Sequence, residues 1–171
     1  MRLVQASKMA VYKAFNRAIE SSRPANKRLF YDPYAKVSLS PSLKFVIWLH
    51  RLPFFSWFAY WYIERLYPGT LTSGAARTKL IDMLALSNIK HNGVNQVVIL
   101  GAEYDCRAHR LKGHGKVQFV EIDHPDMQKA KQLVLTTLPD APGLTPADYV
   151  AMDLGTQSPD DVIPQLLLRA Y

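Results

Sequence analysis

The sequence predicts an α/β protein in which a doubly wound parallel sheet follows a helical N-terminal region. Two observations support this prediction. Apolar residues recur at three- and four-residue spacing within several segments of the first 93 positions, as in amphipathic helices. Beyond them, short apolar runs alternate with helical segments, an order typical of a parallel sheet with right-handed crossovers and helices on both faces. We therefore divide the chain into a helical cap region, 1–93, and a sheet region, 94–171, within effectively one domain.

The cap region contains four predicted helices. The first covers residues 7–20, and the segment RLFYDPYA after it predicts a turn, because Pro33 restricts the preceding residue to extended backbone. Two aromatic-rich helices broken near Pro53 follow. The fourth helix ends before Gly93, a residue type that commonly follows a helix C-terminus.

The aromatic segment Leu43–Tyr67 is not predicted to cross a membrane. His50 and Arg51 interrupt it, and its longest uncharged run, 52–63, is shorter than the roughly 20 residues that a span needs. Its Trp, Tyr and Phe side chains suit either a packed cap over a pocket or a contact with a membrane surface. Both interpretations stay open at this point.

The sheet region contains three predicted strands and three predicted helices. The strands are QVVIL, VQFVEI and DYVAM, and the helices are DCRAHRLKG, PDMQKAKQLVLTTL and SPDDVIPQLLLRAY. Ser158 is predicted to cap the last helix. The predicted apolar face of the middle helix comprises Met127, Ala130, Leu133, Val134 and Leu138.

The charge balance narrows the classes of partner. Lysine and arginine outnumber aspartate and glutamate by 21 to 14, for a formal net charge of +7. Such a charge suits nucleic acid, an anionic membrane or an acidic small molecule. The basic residues are scattered, and no zinc-finger, KH or RNP signature is present, so we do not expect a nucleic-acid partner.

Cysteine usage and the N-terminus predict a cytoplasmic protein. Cys106 is the only cysteine, which excludes an intrachain disulfide and a cysteine-based zinc site, and we predict no metal site. The N-terminal segment lacks the apolar core and cleavage site of a secretory signal.

Gly101 follows the first predicted strand, at the turn where folds of this class bind nucleotide-like groups. A glycine allows close approach of the backbone to a ligand or a positive φ angle. The dinucleotide fingerprint G-x-G-x-x-G is not fulfilled, because the string here is G-A-E-Y-D-C. NAD and FAD are therefore disfavoured.

Two acids follow the next two strands. Asp123 lies 22 residues after Gly101 at the end of the second strand, where an acid can accept hydrogen bonds from ribose hydroxyls. It could instead cap the helix that begins at Pro125, and Glu121 competes for the ribose role from within the strand. Asp153, after the third strand, could bind an adenine amino group or be a loop acid. A glycine turn with these acids suits a nucleoside without pyrophosphate, such as S-adenosylmethionine.

The motifs RLFYDPYA, AARTKLID, VVILGAEYDCRAHRL, VEIDHPDMQKAK and YVAMDLG occur in the order and spacing seen in the leucine carboxyl methyltransferase family. The chain resembles this family from about Arg28 to Asp161. The Arg-Thr pair before the first strand, followed by L-G-A-x-x-D-x-R-x-x-R-L, is the most specific part. The resemblance implies a Rossmann-like sheet of the class I methyltransferase type, of which this chain holds the N-terminal half, and S-adenosylmethionine as cofactor.

The resemblance also implies a set of cofactor-binding residues. Arg77 would bind the carboxylate of the methionine moiety, although it could also be an ordinary surface arginine. Gly101 would allow close approach of the cofactor, and Asp123 would hold the ribose hydroxyls. Asp153 with Leu154 would flank the adenine. No catalytic residue is predicted.

Other positions of the same motif are interpreted as structural or depart from the family. Asp105, Arg107 and Arg110 match it, and we expect the acid to precede a helix and the arginines to pair with carboxylates. Glu103 stands where the family usually has a second glycine, and Cys106 where threonine or serine is usual. Family members continue with further strands and another cofactor-contacting acid, so we expect this chain to be C-terminally truncated.

The expected function is S-adenosylmethionine-dependent methyl transfer to a carboxyl or hydroxyl group of a small molecule or of a protein C-terminus. Two alternatives stay open. The chain could be a truncated non-catalytic remnant or cofactor-binding module, or a protein that contacts membrane surfaces through its aromatic helices. An oligomer is possible under each of them.

Overall fold

Four helices precede the alternating strands and helices, in the order that the sequence predicts. The computed structural model of the chain describes residues 8–66, 68–111, 117–137, 147–158, 160, 164 and 166. The elements are α1 (Lys8–Ser22), α2 (Pro41–His50), α3 (Pro53–Leu66), α4 (Thr70–His91), β1 (Gln96–Leu100), α5 (Arg107–Arg110), β2 (Gln118–Asp123), α6 (Pro125–Leu135) and β3 (Asp148–Ala151). Most of the helix predicted after Ser158, and Leu138 of the predicted α6 face, lie outside the described residues.

The three strands of the described residues form one parallel sheet in the order β1-β2-β3. Val98 lies opposite Val120, and Ile122 lies opposite Val150. Parallel pairing requires a crossover between consecutive strands, and α5 and α6 lie in the two connections. The predicted α/β class with a Rossmann-like parallel sheet is therefore confirmed.

The central strand β2 is buried from Phe119 to its end. Two apolar clusters account for the burial of its apolar side chains, as expected for a parallel strand covered on both faces, and Glu121 and Asp123 are buried charged residues within the strand. One cluster contains Ile89, Ala108, Leu111, Phe119 and Ala147, and the other contains Val120, Ile122, Val150 and Met152. The carboxyl ends of the strands therefore rest on a packed core.

The chain divides into two compact units, one of residues 7–81 and one that contains residues 82–171. The division falls inside α4, whereas the sequence predicts a boundary after residue 93. The C-terminal half of this helix belongs with the sheet, because Ile89 lies in the cluster around Phe119. The predicted boundary after residue 93 stays a prediction.

In the unit of residues 7–81, a salt bridge joins α1 to the turn predicted from RLFYDPYA. Arg17 Nε donates to Asp32 Oδ2 at 3.1 Å, and both side chains are buried. Asp32 Oδ1 accepts the N–H groups of Tyr34 and Ala35, each at 3.0 Å. The turn is thus held by local bonding of an aspartate to its own backbone, as such sequences favour.

Two aromatic helices, α2 and α3, separated at Pro53, confirm the prediction for the described part of the segment 43–67. Ser40 caps α2, since its hydroxyl accepts the N–H of Leu43. Within the part of the chain that the structure describes, no helix has the length and apolar content to span a bilayer.

The predicted buried face of α6 is wrong at Leu133, which is 64% exposed. The helix instead buries Gln128, Lys131 and Leu135. Gln128 tolerates burial because its Nε2 donates to the carbonyls of Glu121 (3.1 Å) and Val150 (2.8 Å). The buried positions thus lie one residue further along the helix than three of the predicted apolar positions, and two of them are polar side chains that bond to the sheet.

Candidate functional site

Gly101 forms the turn at the carboxyl end of β1 and adopts a left-handed conformation with φ +60°. Its N–H donates to the carbonyl of Ile122 at 2.8 Å, which holds the turn against β2. A Cβ added to Gly101 would lie 3.9 Å from Leu154 Cδ1. The turn after β1 and the loop after β3 therefore meet at the carboxyl edge of the sheet.

Asp123 is the last residue of β2 and lies beside the same turn. Its carboxylate accepts hydrogen bonds from two backbone N–H groups, one in the turn and one in the residue that follows Asp123. Oδ2 accepts the N–H of Glu103 at 2.5 Å, and Oδ1 accepts the N–H of His124 at 2.7 Å. The N-cap of α6 is His124, whose side chain accepts the N–H of Asp126 at 3.2 Å. The interpretation of Asp123 as the helix cap is therefore wrong, because the following residue occupies that position.

Asp153 and Leu154 form the loop that follows β3. Asp153 Oδ1 accepts the N–H of Gly155 at 2.9 Å, and the Asp153 N–H donates to Gln157 Oε1 at 2.8 Å. The N–H of Met152 bonds to the carbonyl of Asp123 at 2.9 Å, which ties this loop to the end of β2. Leu154 is 41% exposed and presents an apolar surface beside Gly101.

Four of the five sequence-predicted site residues thus converge within the unit of residues 82–171, namely Gly101, Asp123, Asp153 and Leu154. Arg77 lies on α4 in the other unit, where its side chain is exposed. Its two interpretations, carboxylate ligand or surface arginine, both stay open.

Asp82 binds the two arginines of the motif. Arg107 Nε lies 2.7 Å from Asp82 Oδ1, and Arg110 contributes Nη1 at 2.7 Å from Oδ2 and Nη2 at 3.0 Å from Oδ1. Arg107 also pairs with Asp105, which accepts its N–H at 2.9 Å at the start of α5. The structural roles predicted for Asp105, Arg107 and Arg110 are confirmed. Asp82 lies within the AARTKLID motif, but its role as the partner of these arginines was not predicted from the sequence.

A buried ion pair lies beneath the Gly101 turn. Lys131 Nζ is 2.5 Å from Glu121 Oε2 and also donates to the carbonyl of Asp105. Burial raises the pKa of the Glu121 carboxyl above its ordinary value, and the Lys131 ammonium opposes this increase. The pair links β2 and α6 to the segment that follows the turn. Lysine is rarely buried, so the role of Lys131 could not be predicted from the sequence.

Glu103 has φ +45°, the one positive value among the non-glycine residues of the described segments. The resemblance implies a second glycine at this position. A left-handed conformation costs a residue with a Cβ about 1 kcal/mol or more, so glycine would be the less strained residue here. The Glu103 N–H bond to Asp123 helps to hold the strained conformation.

No group of three or more His, Cys, Asp or Glu side chains suited to a metal ion occurs among the described residues. The chemistry that this edge of the sheet offers is hydrogen bonding by carboxylates and close approach to a glycine turn. Both features suit a nucleoside with free hydroxyl groups.

Comparison with known proteins identifies a family model and several relatives. The model described as leucine carboxyl methyltransferase matches residues 10–167. A protein of Streptomyces coelicolor, provisionally named an S-adenosyl-L-methionine-dependent methyltransferase, is 33% identical over 137 residues, which cover 78% of this chain and 43% of that protein. A relative with the same provisional name in Frankia alni is 31% identical over 137 residues, which cover 75% of this chain and 41% of that protein. Another, in Mycobacteroides abscessus, is 38% identical over 73 residues, which cover 43% of this chain and 22% of that protein. The chain spans less than half the length of these three relatives.

Proposed function

Because this chain belongs to the leucine carboxyl methyltransferase family, we propose that it binds S-adenosylmethionine at the carboxyl edge of its sheet for methyl transfer. The acceptor in this proposal is an oxygen of a carboxyl or hydroxyl group, on a small molecule or a protein C-terminus. One observation supports the proposal most directly: Gly101, Asp123 and Leu154 converge at the edge where such folds bind nucleosides.

The Gly101 turn fits a nucleoside. Its left-handed backbone carries no Cβ, and the neighbouring Leu154 side chain offers an apolar surface for a flat base. Asp153 lies beside that surface, and its carboxylate could accept a hydrogen bond from an exocyclic amino group.

Asp123 retains the hydrogen-bonding capacity that a ribose needs. Each carboxylate oxygen can accept two hydrogen bonds, and the structure records one backbone N–H on each. Asp123 would therefore hold the ribose hydroxyls while it keeps the Glu103 backbone in place. In this proposal Arg77 binds the carboxylate of the methionine moiety.

S-adenosylmethionine, when bound, supplies an electrophilic methyl carbon on a sulfonium. The contribution of the protein is mainly to hold donor and acceptor in line, since well-oriented groups react as if at very high effective concentration. A carboxylate acceptor is already anionic, whereas a hydroxyl acceptor needs a base. In the proposal, this chain's residues orient the nucleoside, and no residue of the described segments is assigned to proton transfer.

The test is a calorimetric titration of the chain with S-adenosylhomocysteine. We expect saturable binding that Asp123→Asn and Arg77→Gln each weaken by roughly tenfold to a hundredfold, the effect of losing a hydrogen bond to a charged group. The matched controls are Asp126→Asn on α6 and Lys79→Gln on α4, which should bind as the unmodified chain does.

The outcomes separate the proposal from its alternatives. A folded chain that shows no binding, or equal losses in the controls, would contradict the proposed site. Binding without transfer of the methyl group to any of a panel of carboxyl and hydroxyl acceptors would favour a non-catalytic cofactor-binding module.

We propose peripheral contact with an anionic membrane as a second function. Phe54, Trp57, Phe58 and Trp61 recur at three- and four-residue spacing on α3, and all four side chains are exposed. Such a stripe of aromatic side chains is typical of helices that lie in a membrane interface. The net charge of +7 complements an anionic lipid surface.

Co-sedimentation with vesicles tests this second proposal. We expect binding to vesicles that contain anionic lipid, weaker binding in high salt, and a loss in the double variant Phe54→Ser/Trp57→Ser. Tyr12→Ser, at an exposed position of α1, is the control. Equal binding to neutral vesicles, or an unaffected double variant, would overturn the proposal.

A further inference from the structure

A cavity of about 270 Å³ lies within the unit of residues 7–81. Side chains of α1, of the turn that follows it and of α2 line the cavity. Its volume is close to the lower end of the roughly 300–1,000 Å³ typical of small-molecule sites. All of the described lining residues belong to this unit, and none of them belongs to the unit that contains residues 82–171.

The described lining is strongly cationic. Lys36, Lys44 and Arg51 all contribute to it, and the structure records no ion pair for these three side chains within the described residues. Asp32 is the carboxylate of the lining, but it already binds Arg17 and accepts two backbone N–H groups. The negative charge of Asp32 is thus compensated from within the turn, and the three cations leave a positive potential in the cavity.

The rest of the lining suits a flat apolar group. Ile47 is buried and forms part of the wall, and the aromatic side chains of Tyr31 and Trp48 lie alongside. The guanidinium of Arg28 lies 4.2 Å from the centre of the Tyr31 ring, which adds a further positive charge close to this wall. Aromatic walls with a small number of polar groups are the usual composition of ligand sites.

We propose that this cavity binds a small organic anion in which a carboxylate is attached to a flat apolar body. Lys36, Lys44 and Arg51 attract the carboxylate, and a guanidinium fork matches its two oxygens. Trp48, Tyr31 and Ile47 cover the apolar body. The inference goes beyond the methyltransferase proposal, because no part of it depends on the cofactor.

The probe is 1-naphthoate, titrated into the full chain while the indole N–H signals are followed by NMR. Tryptophan-to-phenylalanine variants assign the signals of Trp48, Trp57 and Trp61. We expect the Trp48 signal to shift saturably and the other two to stay in place, because only Trp48 lines the cavity. The neutral analogue 1-naphthamide should bind about tenfold more weakly, since it lacks the charge.

Two variants test the cations directly. Lys44→Gln and Arg51→Gln should each raise the Kd for 1-naphthoate by roughly three- to tenfold, the effect of one charge pair near a protein surface. Both positions are exposed, so the fold should persist, which circular dichroism checks. Lys13→Gln, at an exposed position of α1 outside the described lining, should leave the Kd unchanged.

Several outcomes would overturn the inference. Equal affinity for 1-naphthamide would show that charge plays no part. Simultaneous shifts of all three indoles would show that the probe binds exposed tryptophans without preference for the cavity, and the absence of any saturable shift would exclude the site. Should a variant fail to fold, the comparison of 1-naphthoate with 1-naphthamide on the unmodified chain still tests the role of charge.

Discussion

Lys131 Nζ lies 2.5 Å from Oε2 of Glu121, and the two side chains are 2% and 0% exposed. The same ammonium donates to the carbonyl of Asp105, which lies in the segment after the Gly101 turn. Glu121 is part of the central strand and Lys131 of α6, so this contact connects the core of the sheet with the loop that forms the candidate site. Because both charges are removed from water, each depends on the other for its stability in the fold.

Removing one member of this pair should be strongly destabilising. Lys131→Met leaves the Glu121 carboxylate buried without its cation, and we expect the free energy of unfolding to fall by about 3–5 kcal/mol. Urea denaturation followed by circular dichroism measures the change. The double variant Lys131→Met/Glu121→Gln should recover part of the loss, because no uncompensated charge remains.

Lys129→Met is the matched control, because Lys129 is exposed on the same helix. Its effect should stay within about 0.5 kcal/mol, as for most surface substitutions. If Lys131→Met were equally mild, the buried pair would not support the loop.

The left-handed backbone at Glu103 predicts an unusual response to substitution. Glu103→Gly relieves the contact between Cβ and backbone, whereas Glu103→Ala keeps it. We expect the glycine variant to be more stable than the alanine variant by about 1 kcal/mol, measured by urea denaturation. At a loop position without strain, the alanine variant would be more stable than the glycine variant. Finding this order at residue 103 would therefore contradict backbone strain at Glu103.

Asp82→Asn should loosen the segment from Arg107 to Arg110. The substitution keeps the shape of the side chain but removes the charge on which two guanidinium groups converge. Because the side chains are largely buried, we expect a loss of about 3 kcal/mol of unfolding free energy in a thermal or urea titration. Asp126→Asn, which removes a charge from a more exposed site, is the control, and an equal effect of both variants would count against the interaction.

His50 predicts a pH dependence of stability. Burial lowers the pKa of the His50 imidazole below its ordinary value of 6.5, the nearby Arg23 lowers it further, and Glu20 opposes the shift. The unfolded chain therefore binds more protons at this position than the folded chain does. Stability from this residue is present above pH 6.5 and decreases as the pH falls through 6.5 towards the folded pKa.

The measurement is the urea midpoint between about pH 5 and pH 8 for the unmodified chain and for His50→Gln. Subtracting the two profiles removes the contributions of the other histidines. We expect the difference to change with pH below about 6.5. Parallel profiles would show that His50 titrates alike in the folded and unfolded chains.

The sequence by itself determined the order of the elements and, to within one residue, the ends of the strands: β1 ends where predicted, whereas β2 extends to Asp123 and β3 ends at Ala151. Apolar periodicity and turn residues are local signals, so the helices on either side of Pro53 and the strand before Gly101 were predictable. The spacing between Gly101 and Asp123 is also a property of the chain, because a parallel sheet aligns the carboxyl ends of neighbouring strands. The pairing of Arg107 and Arg110 with carboxylates could be predicted, although the carboxylate of Asp82 was not identified.

Only the tertiary structure decided which polar groups are buried and how the turn is held. Lys131 and Gln128 face the sheet, and Leu133 faces solvent, because hydrogen bonds to β2 and β3 outweigh the helical pattern of apolar residues. The positive φ of Glu103 likewise depends on a bond to Asp123, twenty residues away in the chain. Such contacts arise between segments that are distant in sequence, and local propensity contains no information about them.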